Sequence, residues 1–220
     1  MTNWIQTVAE HTQLYSPIGL RLVDDLTGTT PRGRIDVYLD ARDAGGNWTG
    51  TDVEAVKTAS GVVTYPGLER HANVAGLPSR HYRVRLQAEF YIPLYQRNSD
   101  GIEFDAFPFS DEKPPSTLVT GTQDAVLTPA PNYQIEGHIP VLRGVVVDST
   151  NKPVSNAMVT QGAKERVLTD SRGTFALPLR WVAQNLATPV DAADERTGRT
   201  GTISIQLPGS LSKSQKIQIS

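Results

Sequence analysis

Tyr82-Arg83-Val84-Arg85-Leu86-Gln87-Ala88 alternates apolar and polar residues without a break. Successive side chains on an extended strand point to opposite faces, so Val84, Leu86 and Ala88 share one face and Arg83, Arg85 and Gln87 the other. Such a strand is buried on one side only, as in a sheet packed against a second sheet. Residues 18–24 and 34–40 repeat the pattern. Turn signals separate these runs: Asp25-Leu26-Thr27-Gly28, Thr30-Pro31-Arg32-Gly33, Gly45-Gly46-Asn47, Ser60-Gly61 and Tyr65-Pro66-Gly67. Strands broken by turns, with no helix-period run between them, predict an all-β chain.

Further strands are expected at 123–127, 142–148, 157–160, 166–169, 174–177, 202–207 and 216–219. Between Asn98 and Pro140 the texture changes to an irregular closing segment and a proline-containing linker, with Pro129, Pro131 and Pro140 limiting chain freedom. One or two helical turns are expected at Trp181–Leu186, where neither Gly nor Pro intervenes. At the N-terminus, Trp4, Ile5 and Val8 recur at helical spacing and suggest a short helix or docking arm. The expected organisation is an arm over 1–17, a β-sandwich over 18–128, a linker over 129–140 and a second sandwich over 141–220.

The two halves echo each other. Leu22-Val23-Asp24, a polar turn, Pro31 and a new strand at Ile35 match Val146-Val147-Asp148, a polar turn, Pro153 and a strand at Ala157. Likewise Thr58-Ala59-Ser60-Gly61-Val62 matches Thr169-Asp170-Ser171-Arg172-Gly173-Thr174-Phe175, each a tight turn with Gly where a positive φ is expected. The expected fold class is thus two tandem Ig-like β-sandwiches joined by a proline-containing linker.

Gly144–Asp148, Lys152-Pro153-Val154, Ala157–Val159 and Thr169–Leu177 together resemble a carboxypeptidase regulatory-like domain, closely over 141–180 and loosely to 220. The resemblance implies a seven-stranded, transthyretin-like sandwich and brings no catalytic residues with it. In the first half, Leu77-Pro78, Tyr82 and Tyr91-Ile92-Pro93 follow a related grammar, with Ser79-Arg80-His81 where the family has Pro-Gly. The whole chain also resembles, in order and loose motifs, two-sandwich accessory proteins of phage tails and contractile injection systems.

Composition excludes more than it identifies. The 220 residues hold no Cys, which rules out disulfides, thiolate metal sites and cysteine nucleophiles. Lys+Arg 21 against Asp+Glu 23 leaves a net charge of -2, without the basic excess of a nucleic-acid binder. No apolar stretch of about 18 residues exists to span a membrane as a helix. The first ten residues lack the charged and apolar regions of a secretory signal, so the expected location is the cytoplasm, with assembly into a particle and virion-like or extracellular exposure after release.

Chemistry-bearing residues are sparse. Asp24, Asp25, Asp148 and Asp170 stand at strand–turn junctions, where Asp caps turns. The four histidines His11, His71, His81 and His138 are scattered, with no zinc-binding pair, and His81 is expected to be solvated. There is no nucleophile elbow or phosphate-cradling loop. Arg80, Arg83 and Arg85 read as a solvated face. No catalytic, cofactor-binding or metal-ligating residue is expected, and no cofactor; the chain reads as a non-enzyme.

Phe90, Tyr91, Tyr95, Phe104, Phe107 and Phe109 crowd into 20 residues. Their simplest role is to close the first sandwich and pack beside the second. The sharper role makes Tyr91, Tyr95, Phe104, Phe107 and Phe109, with Trp4 and Ile5, contacts for a partner. The leading expectation is a non-enzymatic structural or adaptor subunit of a larger assembly, a phage-tail-like or contractile injection particle. Its partners would be other protein subunits, further copies of itself included, with no nucleic acid and no membrane span. The rival is an adhesin-like or carbohydrate-binding module using sandwich loops, with Trp48 and Tyr95 as stacking platforms.

Overall fold

The computed structural model describes residues 14–96, 99–115, 122–163 and 165–220. Trp4, Ile5 and the helix or arm expected around them lie outside the described residues. The first half contributes β1 (Gly19–Asp24), β2 (Ile35–Arg42), β3 (Trp48–Gly50), β4 (Val56–Lys57), β5 (Val62–Thr64), β6 (Arg80–Ala88), β7 (Tyr91–Pro93), β8 (Ile102–Ala106) and β9 (Thr122–Pro129). They form two sheets, β4-β5-β1-β9-β7 and β3-β2-β6-β8. The second half contributes β10 (Val141–Asp148), β11 (Met158–Gln161), β12 (Glu165–Leu168), β13 (Thr174–Pro178), β14 (Ala187–Asp194), β15 (Arg199–Gln206) and β16 (Gln215–Ile219), in sheets β13-β10-β16 and β12-β11-β14-β15. The chain is all-β.

The internal repeat is written in the topology. β5-β1-β9 and β13-β10-β16 have the same directions, with the central strand antiparallel to one neighbour and parallel to the other. β3-β2-β6-β8 and β12-β11-β14-β15 have the same order. β4 and β7 are additions to the first half. The matched turns share their hydrogen bonds as well. Gly61 N–H donates to Thr58 O and Thr58 N–H to Val62 O, while Gly173 N–H donates to Asp170 O and Asp170 N–H to Thr174 O. Gly61 and Gly173 have φ of 81° and 70°, the left-handed region that a Cβ disfavours.

Two clusters of buried residues hold the halves. Leu20, Leu39, Val84, Leu86, Phe104 and Leu127 belong to one, so both sheets of the first half share a core. Leu142, Val159, Phe175, Val190 and Ile217 belong to the other. Removing apolar surface from water at about 25 cal/mol per Å² drives both.

Three expectations are corrected. Residues 181–186 form turns, not a helix: Asn185 takes φ 62° and its N–H donates to Leu207 O. The helical element among the described residues is a single 3-10 turn at Gly209–Ser212. The segment read as irregular from Asn98 onward contains β8. In β8, Phe104 and Ala106 face the core while Glu103 and Asp105 face out. β14 has no counterpart in the expected strands. Its inward residues Val190, Ala192 and Asp194 carry little apolar bulk, and Pro189 interrupts the run. Pro189 is tolerated beyond Asp191–Ala193, the stretch that β11 pairs with.

Candidate functional site

The end of β1 joins the two halves. Asp24 is buried, and its carboxylate accepts the Leu26 N–H at 2.8 Å, the Tyr133 hydroxyl at 2.9 Å and the Tyr91 hydroxyl at 3.2 Å. These bonds satisfy a charge that would otherwise be costly to bury. Arg32 donates its backbone N–H to the Tyr91 oxygen and its Nη2 to the Tyr133 oxygen, each at 3.1 Å. Burial pushes the Tyr91 hydroxyl up to about 12, so it remains a donor at any ordinary pH.

The next residue faces the other way. Asp25 accepts Nε and Nη2 of Arg166 on β12, both at 2.8 Å. Arg180 places Nη1 2.9 Å from the Leu26 carbonyl, while buried Glu165 grips its Nε and Nη2 at 2.8 and 3.1 Å. Arg196 reaches Asp100 at 3.1 Å, and Arg143 donates to the Pro131 carbonyl at 3.3 Å. The bidentate Arg166–Asp25 pair fixes direction as well as distance, and with the single bonds from Arg180, Arg196 and Arg143 it restrains rotation between the halves. The reading of Asp24, Asp148 and Asp170 as turn caps holds: Asp148 Oδ1 accepts the Thr150 and Lys152 N–H groups, and Asp170 Oδ1 those of Arg172 and Thr174. Asp25 is the exception.

The outward face of β3-β2-β6-β8 carries a continuous ladder of paired charges, of which Arg85, Glu103 and Asp105 still reach solvent. Asp40, buried beneath its neighbours, accepts Arg83 Nε at 2.8 Å and Arg85 Nε and Nη2 at 2.6 and 2.9 Å. Arg85, and then Arg83, hold the Asp40 carboxyl below the usual carboxylate range. Arg83 lies over the Trp48 ring at 4.7 Å and Arg42 over the same ring at 5.7 Å. His81 packs on Trp48 at 5.4 Å and bridges Asp105 and Glu103 at 2.8 and 3.1 Å. The Asp105 hydrogen bond, with that of Glu103, raises the His81 pKa. Arg80 is not on this face. It belongs with Tyr82 on the other side, where it lies over the Tyr82 ring and reaches Glu69, which also accepts the Tyr82 hydroxyl and a bond from His71.

The aromatics named from the sequence divide by burial. Tyr91, Phe104 and Phe109 are buried: Phe104 stacks on Tyr82, Phe109 meets Tyr15 edge-on, and Tyr91 serves Asp24. Tyr95 is half-buried, its hydroxyl accepting the Leu86 N–H at 2.7 Å. Phe107 is the exposed member, at 44%. Tyr91, Phe104 and Phe109 therefore act as packing groups, and the surface contact they were expected to offer is taken up by the core. As for stacking platforms, the Trp48 ring is engaged by Arg83, Arg42 and His81, and Tyr95 by its bond to β6. The junction ion pairs carry no sequence signal, because their members lie up to 141 positions apart.

Among the described residues no group of three or more His, Asp or Glu side chains is placed to hold a metal ion, and no helix is long and apolar enough to cross a membrane. No family model matches the sequence, and no curated protein does. Among solved structures the chain is similar to the Bacillus anthracis TIE protein, at 12% identity and a TM-score of 0.29, covering 93% of this chain and 33% of that one. This chain thus spans about a third of that protein's length. It is also similar to a C-terminal fragment of the pilus adhesin SpaC from Lactobacillus rhamnosus GG, at 14% identity and a TM-score of 0.21, covering 94% and 95% of the two chains. Likenesses this loose carry no argument about function.

Proposed function

We propose that the protein is a non-enzymatic structural or adaptor subunit of a larger assembly, presenting two tandem β-sandwich units as a stiff spacer. The observation that carries this reading is the junction, where Asp25–Arg166, Arg180–Leu26 and Asp100–Arg196 tie the halves at separate points. A freely hinged pair would need none of these, and a spacer needs a defined angle. A phage-tail-like or contractile injection particle is the assembly proposed, on the order of its sequence motifs. Cytoplasmic assembly followed by release with the particle belongs to the same proposal. The test is co-purification: the chain is expected at fixed stoichiometry with tube, sheath or baseplate proteins. Recovery solely as free monomer from lysates that contain intact particles overturns the reading.

A further inference from the structure

β2 and β11 occupy the same place in the two four-stranded sheets, but their outer edges differ. β11 pairs with β12 along its whole length, from Met158↔Leu168 to Gln161↔Glu165. β2 pairs with β3 only over Asp40–Arg42, and beyond that Thr51 alone reaches it, its N–H and hydroxyl donating to the Leu39 carbonyl at 2.9 and 3.0 Å. Backbone groups on a strand point alternately to its two sides, so Val37 and Ile35 direct theirs the same way as Leu39. That side faces away from β6, and β3 stops short of covering it.

A groove of about 730 Å³ runs along this uncovered edge. Leu22 and Val63 of the core form its floor, and Tyr38 and Val53 line it, each 43% exposed. Asp52 and Glu54 line it too, with no hydrogen bond or ion pair to any described residue. Asp36 adds a third carboxylate, shared with Arg34, against one lysine, Lys57. An exposed edge with unpaired backbone groups invites strand addition, and the C-terminal half closes the same position with its own strand.

We propose that this groove takes up an extended segment of a partner protein, added as a strand to β2, in which apolar residues alternate with lysine or arginine. The period of two sends one set of its side chains toward Leu22 and Val63 and the other outward beside Tyr38. Lysine or arginine answers the carboxylates of Asp52 and Glu54. The inference deepens the assembly reading by naming its docking mode, and it rests on that reading only for the partner's identity.

The experiment uses the full chain and three synthetic peptides: valine alternating with lysine, valine alternating with glutamate, and the first composition in blocks. Amide hydrogen exchange is expected to slow at Ile35 and Val37 with the alternating lysine peptide alone. Asp52→Lys with Glu54→Lys is expected to weaken that binding about tenfold without changing thermal unfolding. Val37→Pro, whose lost N–H points away from β6, is expected to abolish it. Equal protection by the glutamate peptide overturns the proposal, as does protection at another edge or none. Self-association of the chain through this edge, undisturbed by peptide, overturns it in favour of a second copy. Peptide binding is read on the isolated chain, so its failure leaves the co-purification result standing, and the converse holds.

Discussion

Asp25 and Arg166, 141 residues apart, meet through two parallel hydrogen bonds of 2.8 Å, while Asp24 turns inward to two tyrosines of its own half. Asp24 ends β1 and Asp25 opens the turn that follows, so the chain changes direction between them, and one closes a core while the other joins two. The Asp25 side chain is 16% exposed and that of Arg166 45%, so the pair is partly shielded from solvent.

Asp25→Ala and Arg166→Ala are therefore expected to be non-additive, with a coupling of about 1 kcal/mol in a double-mutant cycle read by urea unfolding. The same variants are expected to loosen the junction. Residual dipolar couplings should fit one alignment tensor for both halves of the wild type and two for Asp25→Ala. A single tensor in the variant, with no coupling, removes the pair as a determinant of stiffness.

Asp40 sits between two guanidinium groups, so removing its charge leaves Arg83 and Arg85 crowded without their anion. Asp40→Asn is expected to cost about 3 kcal/mol at neutral pH. The pH dependence follows from the lowered pKa. The stability due to this carboxylate is fully present above its unfolded value near 4 and is lost as pH falls through the lower folded value. Acid titration of unfolding free energy should be steeper for the wild type than for Asp40→Asn; parallel curves contradict the assignment.

His81 works in the opposite sense. Asp105 and Glu103 raise its pKa above 6.5, so its contribution is complete below the unfolded value and is lost as pH rises through the folded one. Ring-proton NMR should place its midpoint above 6.5. The wild type should lose stability across that midpoint, and His81→Asn should show no such step. A midpoint at or below 6.5 refutes the bridge.

The fold was legible wherever bulk alternated. β6, β2 and β10 set large apolar residues against polar ones, and the paired turns at Gly61 and Gly173 repeat closely enough to expose the duplication. β8 obeys the same rule, with Ile102, Phe104 and Ala106 alternating with Glu103 and Asp105, and only the prolines after it, Pro108, Pro114 and Pro115, mask it. β14, by contrast, is hidden because Val190 and Ala192 bury little and Pro189 interrupts them. The site was less legible still. Asp24 and Asp25 stand at the same turn in sequence, and only partners far along the chain, Tyr91 and Tyr133 for one and Arg166 for the other, distinguish them. Burial of Tyr91 and Phe104 depends on how two sheets close, which aromatic density alone does not encode.

Tyr65 is almost fully buried, at 1% exposure, and its hydroxyl finds no hydrogen-bond partner among the described residues. A buried polar group left unpaired is a standing cost, and phenylalanine keeps the ring that fills the core. Tyr65→Phe is expected to stabilise the protein by about 1 kcal/mol. Urea midpoints should rise without a change in slope; a loss of stability would mean that the hydroxyl is satisfied in solution.

Gly201 marks where β15 crosses β16. Thr200 and Ser220 exchange backbone hydrogen bonds beside it at 3.3 and 3.1 Å, and a Cβ on Gly201 would run into the Gln218 carbonyl. The obstacle is backbone within a paired strand, so it cannot swing aside as a flexible side chain would. Relief requires the β10–β16 pairing, Gly144↔Gln215 to Asp148↔Ile219, to shift with it. Gly201→Ala is thus expected to cost about 2–3 kcal/mol, in line with overpacking that moves backbone. Gly209→Ala meets nothing within 4 Å and should change stability by no more than about 0.5 kcal/mol. Equal losses at the two positions, measured by the same unfolding assay, would show that the close approach of β15 to β16 is not what excludes a side chain at Gly201.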